Sequence, residues 1–126
     1  NGATTVWERW NGYTKEHGFE DPEMNSFNHY SLGSCVEWLY SYVLGIKLFP
    51  EREKVVISPS FGKKLAFARG GTRVKGGKIF VKWRRENNAV ILEVKADEGV
   101  NYEICVPDGV QSAVKNGNDT VATIYL

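Results

Sequence analysis

The sequence predicts a mainly β protein, an antiparallel β-sandwich domain preceded by a helical segment. Three observations carry that reading. From Phe49 onward, short runs rich in β-branched and aromatic residues are separated by Gly, Asn and Asp. Within those runs apolar and polar residues alternate with a period of two, whereas before residue 48 apolar positions recur at steps of three and four. The chain is therefore expected to divide into residues 1–47, helical and loop-like, and residues 48–126, a β domain.

In chain order, "NGYTKEHGFEDPEM" carries Gly12, Gly18 and Asp21-Pro22 and is expected to be a loop, long enough to contribute to a site. "MNSFNHYSLGSCVEWLYSYVLG" predicts one helix over residues 26–44, with Asn25 or Ser26 as N-cap and Gly45 as the stop. Leu32, Val36, Leu39 and Val43 fall on one face of it, extended to one side by Trp38 and Tyr42, and Gly33 suggests a close approach by a neighbouring element. "EKVVISP" predicts a strand stopped by Pro59. "LAFARGGTRVKGG" and "KIFVKWRRE" predict two strands meeting at Gly76-Gly77, and Asn87-Asn88 turns the chain into "AVILEVKA". "VNYEICVP" and "TVATIYL" supply two more strands. Ile79, Val81 and Trp83, like Val90, Leu92 and Val94, hold the phase expected of the buried face.

Length and charge narrow the function. With 126 residues the chain makes one domain, or a small domain with an appendage. A net charge of +1 gives no field that would select nucleic acid or an anionic membrane. No apolar run approaches the roughly 20 residues of a membrane span. The aromatic fraction, 13%, suits either a packed β core or a sugar-binding surface. Cys35 and Cys105 lack C-x-x-C spacing and read as free, partly buried thiols. His17 and His29 lack ligand spacing, so no metal is expected; "RGGTRVKGG" lacks the order of a phosphate loop, and no cofactor is expected.

Two residues carry candidate chemistry. Glu8 lies between Trp7 and Trp10, where an apolar wall would tune a general acid or base and the indoles would offer a platform for a sugar ring. The competing reading is an ordinary carboxylate beside Arg9, with both indoles in a core. His29, if Ser26 caps the helix, lies in the first turn, where the helix dipole favours a neutral ring able to hold a substrate hydroxyl; the competing reading is structural. The basic runs "KWRRE" and "GKKL" read as solvated strand faces.

"GATTVWERW" followed by "MNSFNHYSLGSCVEWLY" resembles the late catalytic-domain motifs of the bacterial α-L-rhamnosidase family, and "VVISPSFGKKLAFARGGTRVKGGKIFVKW" resembles the β-sandwich that follows that domain. The resemblance implies that residues 1–47 are the last portion of an (α/α)6 barrel and that the opening "NGATTVWERW" continues a barrel lying upstream. It assigns Glu8 as general base of an inverting hydrolysis, brings His29 to the bound rhamnose, and leaves Trp7 and Asn28 to support or shape the pocket. The implied substrate is a rhamnose-containing glycoside or polysaccharide; nucleic acid and membrane are not implied as partners.

An inverting glycosidase needs two carboxyl groups, roughly 6.5–9.5 Å apart. The family's acid motif has no counterpart here, since Glu16, Glu20, Asp21 and Glu23 stand outside it. The 126-residue chain is thus expected to be inactive alone, to need the remainder of the barrel, and either to self-associate through its apolar helix face or to be disordered over much of residues 1–25. The alternative is a stand-alone β-sandwich carbohydrate-binding or structural module with Trp83, Tyr102 and Tyr125 as a sugar platform, although Trp83 alternates in phase with Ile79 and Val81 as a core residue does.

Overall fold

A computed structural model describes residues 2–21, 23, 26–49, 51, 53–106 and 112–125. The chain forms two compact units, Asn1–Glu37 and Trp38–Leu126.

In the first unit, the region expected to be a loop contains a small hairpin. β1 (Tyr13–Thr14) pairs antiparallel with β2 (Gly18–Phe19), and the Thr14 hydroxyl accepts the His17 N–H at 3.0 Å. Edge-to-face contacts link Tyr13 to Phe19, Phe19 to Phe27 and Phe27 to Trp7, with centroids 5.2, 5.7 and 4.9 Å apart. These aromatic pairs hold the hairpin in a unit where none of the described hydrophobic side chains is buried.

The single helix expected over residues 26–44 is shorter and interrupted. α1 (Tyr30–Gly33) and α2 (Cys35–Trp38) are followed by a π-helical turn, Leu39–Val43. The late start has a physical cause. Residues 26–29 run alongside residues 6–8: the Ser26 carbonyl accepts the Glu8 N–H at 2.9 Å, and the His29 N–H donates to the Val6 carbonyl at 2.8 Å. His29 is extended (φ −84°, ψ 92°) and occupies the N-cap position of α1, a place expected for Asn25 or Ser26. Asn25 lies outside the described residues. The expected apolar face is present in sequence but not in burial, for Leu32 and Val36 are each 49% exposed. A Cβ added at Gly33 would meet only the Val6 side chain, at the ordinary distance of 3.9 Å, so the close approach expected there is not found. Both cysteines are free, as expected, but exposed rather than partly buried.

The second unit is a β-sandwich. Its strands are β3 (Ile46–Phe49), β4 (Lys54–Ile57), β5 (Phe67–Val74), β6 (Gly77–Glu86), β7 (Ala89–Ala96), β8 (Tyr102–Ile104), β9 (Ser112–Asn116) and β10 (Asp119–Tyr125). One sheet has the order β5-β6-β7-β10-β9 and is antiparallel throughout; the other is β3-β4-β8, in which β4 and β8 run parallel. Ile79, Val81, Trp83, Val90, Leu92 and Val94 are buried in one cluster with Ile46, Val55 and Ile57 of the smaller sheet, as their alternation predicts. The mainly β, antiparallel class read from the sequence holds, with the β4–β8 pair as the exception.

The core's polar atoms are partnered. Trp83 Nε1 donates to the Val43 carbonyl at 2.7 Å, and the buried Thr120 hydroxyl meets the Tyr102 hydroxyl at 2.7 Å. No buried side-chain nitrogen or oxygen among the described residues lacks a partner. The β5–β6 turn depends on glycine: Gly76 has φ 91°, and a Cβ there would lie 1.9 Å from the Gly99 carbonyl oxygen. The proposed platform of Trp83, Tyr102 and Tyr125 is overturned. Trp83 has no exposed surface, and Tyr102 spends its hydroxyl on Asn118 and Thr120.

Candidate active site

Glu8 is held at both ends of its own residue. Its N–H donates to the Ser26 carbonyl, and its Oε2 accepts the Ser26 N–H at 3.3 Å. This clamp exists because residues 6–8 and 26–29 pair, the same pairing that delays α1. The Thr5 hydroxyl tightens it by donating to the Phe27 carbonyl. The register set by these bonds brings Glu8 Oε2 to 3.9 Å from His29 Nδ1, with both side chains about one-third exposed. On the far side of the ring, His29 Nε2 lies 2.9 Å from Ser31 Oγ. The hydroxyl is within hydrogen-bond reach of the imidazole, whereas the carboxylate lies beside the ring beyond that reach; the tautomer decides whether Nε2 donates to or accepts from Ser31.

Beside this pair lies a groove of about 420 Å³ lined by Ala3, Thr5, Val6, Trp7, Glu8, Trp10 and Leu32. Trp7 is half-buried against Phe27, whereas Trp10 is fully exposed. Two details of the competing reading of Glu8 are not met. Arg9 faces Glu20, at 3.9 Å, instead of Glu8, and the two indoles do not share a core. The dipole argument for His29 also weakens, since the ring precedes a helix of only four residues and makes no side-chain cap bond.

Of the residues singled out from sequence, Glu8, His29 and Trp7 lie in one unit within a network of bonds and contacts, and Asn28 is exposed beside His29. Thr5 and Ser31 were not singled out. Thr5 belongs to the same quoted motif as Glu8, and Ser31 follows His29 by two residues, so the signal was proximity to the candidates. Among the remaining acids, Glu20 faces Arg9, and an Asp21 oxygen accepts the Glu23 N–H at 2.9 Å. Among the described residues no three His, Cys, Asp or Glu side chains converge as a metal site would require.

Residues 1–43 match the bacterial alpha-L-rhamnosidase 6 hairpin glycosidase domain, and residues 52–120 match the bacterial alpha-L-rhamnosidase C-terminal domain. An alpha-L-rhamnosidase of Alteromonas sp. (strain LOR) is 40% identical over 85% of the chain, and one of Formosa agariphila is 34% identical over 94%. The crystal structure of the Streptomyces avermitilis alpha-L-rhamnosidase complexed with L-rhamnose superposes on 98% of the chain with a TM-score of 0.63 and 30% identity. The chain spans only 12–13% of the length of these relatives. On the match of its β domain and of the segment before it, this chain belongs to the bacterial α-L-rhamnosidase family and corresponds to a C-terminal part of its members.

Proposed function

We propose that the protein carrying this chain hydrolyses terminal α-L-rhamnosyl residues from glycosides or polysaccharides with inversion, and that Glu8 is its general base. The observation that carries the reading is the clamped Glu8 carboxylate, 3.9 Å from His29 and opening on a groove lined by Trp7 and Trp10. A base must point at water in a fixed direction, and the Ser26 N–H supplies that fixity. In the proposed step Glu8 takes a proton from water as the oxygen attacks the anomeric carbon. A second carboxyl group on the opposite face protonates the leaving oxygen. His29, held by Ser31 and lying beside Glu8, holds a sugar hydroxyl; Trp7 and Asn28 shape the pocket. Glu16, Glu20, Asp21 and Glu23 stand outside the family's acid motif, so the second carboxyl group is assigned to the rest of the barrel and the 126-residue chain alone is expected to be inactive.

Residues 1–47 are proposed as the end of the (α/α)6 barrel, and residues 48–126 as a β-sandwich that braces it. Leu32 and Val36 would be covered by the rest of the barrel. In the 126-residue chain on its own they would be covered by a second copy, so sedimentation should show self-association that Leu32→Ser with Val36→Ser abolishes. A monomer at all concentrations would remove that part of the reading.

The deciding experiment is hydrolysis of a chromogenic α-L-rhamnoside by the full-length enzyme and by Glu8→Gln. Loss of at least about 10²-fold in kcat with KM little changed is expected of a general base. An active enzyme indifferent to the substitution would end the assignment of Glu8. Turnover by the 126-residue chain alone would end the claim that a second carboxyl group lies outside it.

A further inference from the structure

We propose that the outer face of the five-stranded sheet binds an acidic polysaccharide, a glycan carrying uronic carboxylates, by stacking a sugar ring on Phe80 and pairing carboxylates with Arg73, Lys78 and Lys95. The alternation that buries Ile79, Val81 and Trp83 turns Lys78, Phe80, Lys82 and Arg84 outward. Register places Arg73 directly opposite Lys78, Arg69 opposite Lys82, and Phe80 between Gly71 and Lys95. Arg73 opposite Lys78 sets two like charges face to face across neighbouring strands, an arrangement that costs stability, whereas Lys82 opposite Arg69 is answered by Glu93.

The charges are also unevenly answered. Lys82 and Arg84 meet Glu93 at 2.9 and 2.8 Å, and Arg84 meets Glu86 at 2.7 Å. Arg69, Arg73, Lys78 and Lys95 have no carboxylate partner among the described residues. They surround an aromatic ring that the sheet leaves open. Gly71 lies beneath Phe80, where a Cβ would come within 3.1 Å of the ring, and Phe80 is 41% exposed. Shallow depressions flank that ring. One, of about 350 Å³, is lined by Gly71, Thr72, Arg73, Lys78, Ile79 and Phe80; the other, of about 220 Å³, by Lys78, Phe80, Lys95, Ala96, Asp97 and Asp119. The two carboxylates in the second are turned to backbone donors, Asp97 to the Lys78 N–H at 2.9 Å and Asp119 to the Ala96 N–H at 3.2 Å.

A ring face bordered by unpaired cations fits a sugar that is both flat-faced and anionic. Charge density weighs against one class of polyanion. Duplex DNA presents a charge about every 1.7 Å and is met by strongly basic domains, whereas this chain has a pI near 7.9. The preference for a glycan also rests on membership of a glycosidase family.

The test is affinity electrophoresis of the 126-residue chain through gels containing polygalacturonate, neutral dextran or duplex DNA. Polygalacturonate should retard it at about 50 mM salt and less at about 300 mM, as screening shortens the reach of the cations. Dextran should not retard it. Arg73→Gln with Lys78→Gln should weaken retention about tenfold or more, as loss of two charge-assisted contacts demands. Phe80→Ala should weaken it too. Thermal unfolding checks that these variants fold, and the double variant should melt no lower than the original chain because a repulsion has been removed. No retardation at low salt, retention that survives the substitutions, or equal retention by DNA would each overturn the proposal. Because binding is read without turnover, its failure leaves the assignment of Glu8 untouched, and an inactive Glu8→Gln enzyme leaves this proposal untouched.

Discussion

The two units use their tryptophans in opposite ways. Trp83, in the β-sandwich, has no exposed surface and spends its N–H on the Val43 carbonyl, so both its ring and its polar atom are satisfied within the chain. Trp10, in the first unit, stands fully exposed on a groove beside Glu8. The same residue type is a keystone in one place and an unmatched surface in the other. The difference teaches where this chain's information about stability ends and its information about function begins.

Substitution of each indole breaks that comparison or sharpens it. Trp83→Ala should cost about 3–5 kcal/mol in urea unfolding of the 126-residue chain, the range for removing a large buried aromatic, with further loss from the orphaned Val43 carbonyl. Trp10→Ala should change stability by no more than about 0.5 kcal/mol, as exposed positions do. Equal costs at the two sites would mean that Trp10 is buried in solution, and the contrast between the units would collapse.

How much the sequence disclosed follows the same division. In the sandwich, a period of two is a local signal. It therefore identified the buried phase of β6 and β7, and Asn87, at φ 54°, turns the chain where Asn87-Asn88 predicts. What the sequence hid there was short or non-local. β3 occupies four residues between Gly45 and Pro50. β9 offers exposed residues at Ser112, Ala113 and Val114 with no buried phase, and the parallel pairing of β4 with β8 joins residues nearly fifty positions apart. In the first unit, helical periodicity was real but lost to tertiary pairing, because Ser26 and His29 give their backbone groups to Glu8 and Val6. The candidate residues were legible from motif resemblance, while the 3.9 Å approach of Glu8 to His29 was not, since it depends on that pairing.

A smaller effect separates the units electrostatically. Glu93 lies between two cations on the sheet, and its carboxyl is held below the ordinary value of 4.5 chiefly by the hydrogen bond from Lys82 and then by charge attraction to Lys82 and Arg84, against the opposing cost of burial. Arg84 is in turn held above its ordinary value, first by its bond to Glu86, so it remains charged through the acid range. A lowered carboxyl pKa means that between the folded and unfolded values the unfolded chain binds more protons, and stability there rises with pH. The contribution is complete above the unfolded value, near 4.5, and is lost as pH falls through the lower folded value. For partly exposed pairs its size is no more than about 1 kcal/mol. Wild type should therefore exceed Glu93→Gln in stability at pH 6 and converge with it on acidification to below the folded pKa, whereas Trp83→Ala should remain several-fold more costly at either pH. A Glu93→Gln deficit that persists unchanged once the folded carboxyl is protonated would show that packing of the side chain, and not its charge, is what the sheet uses.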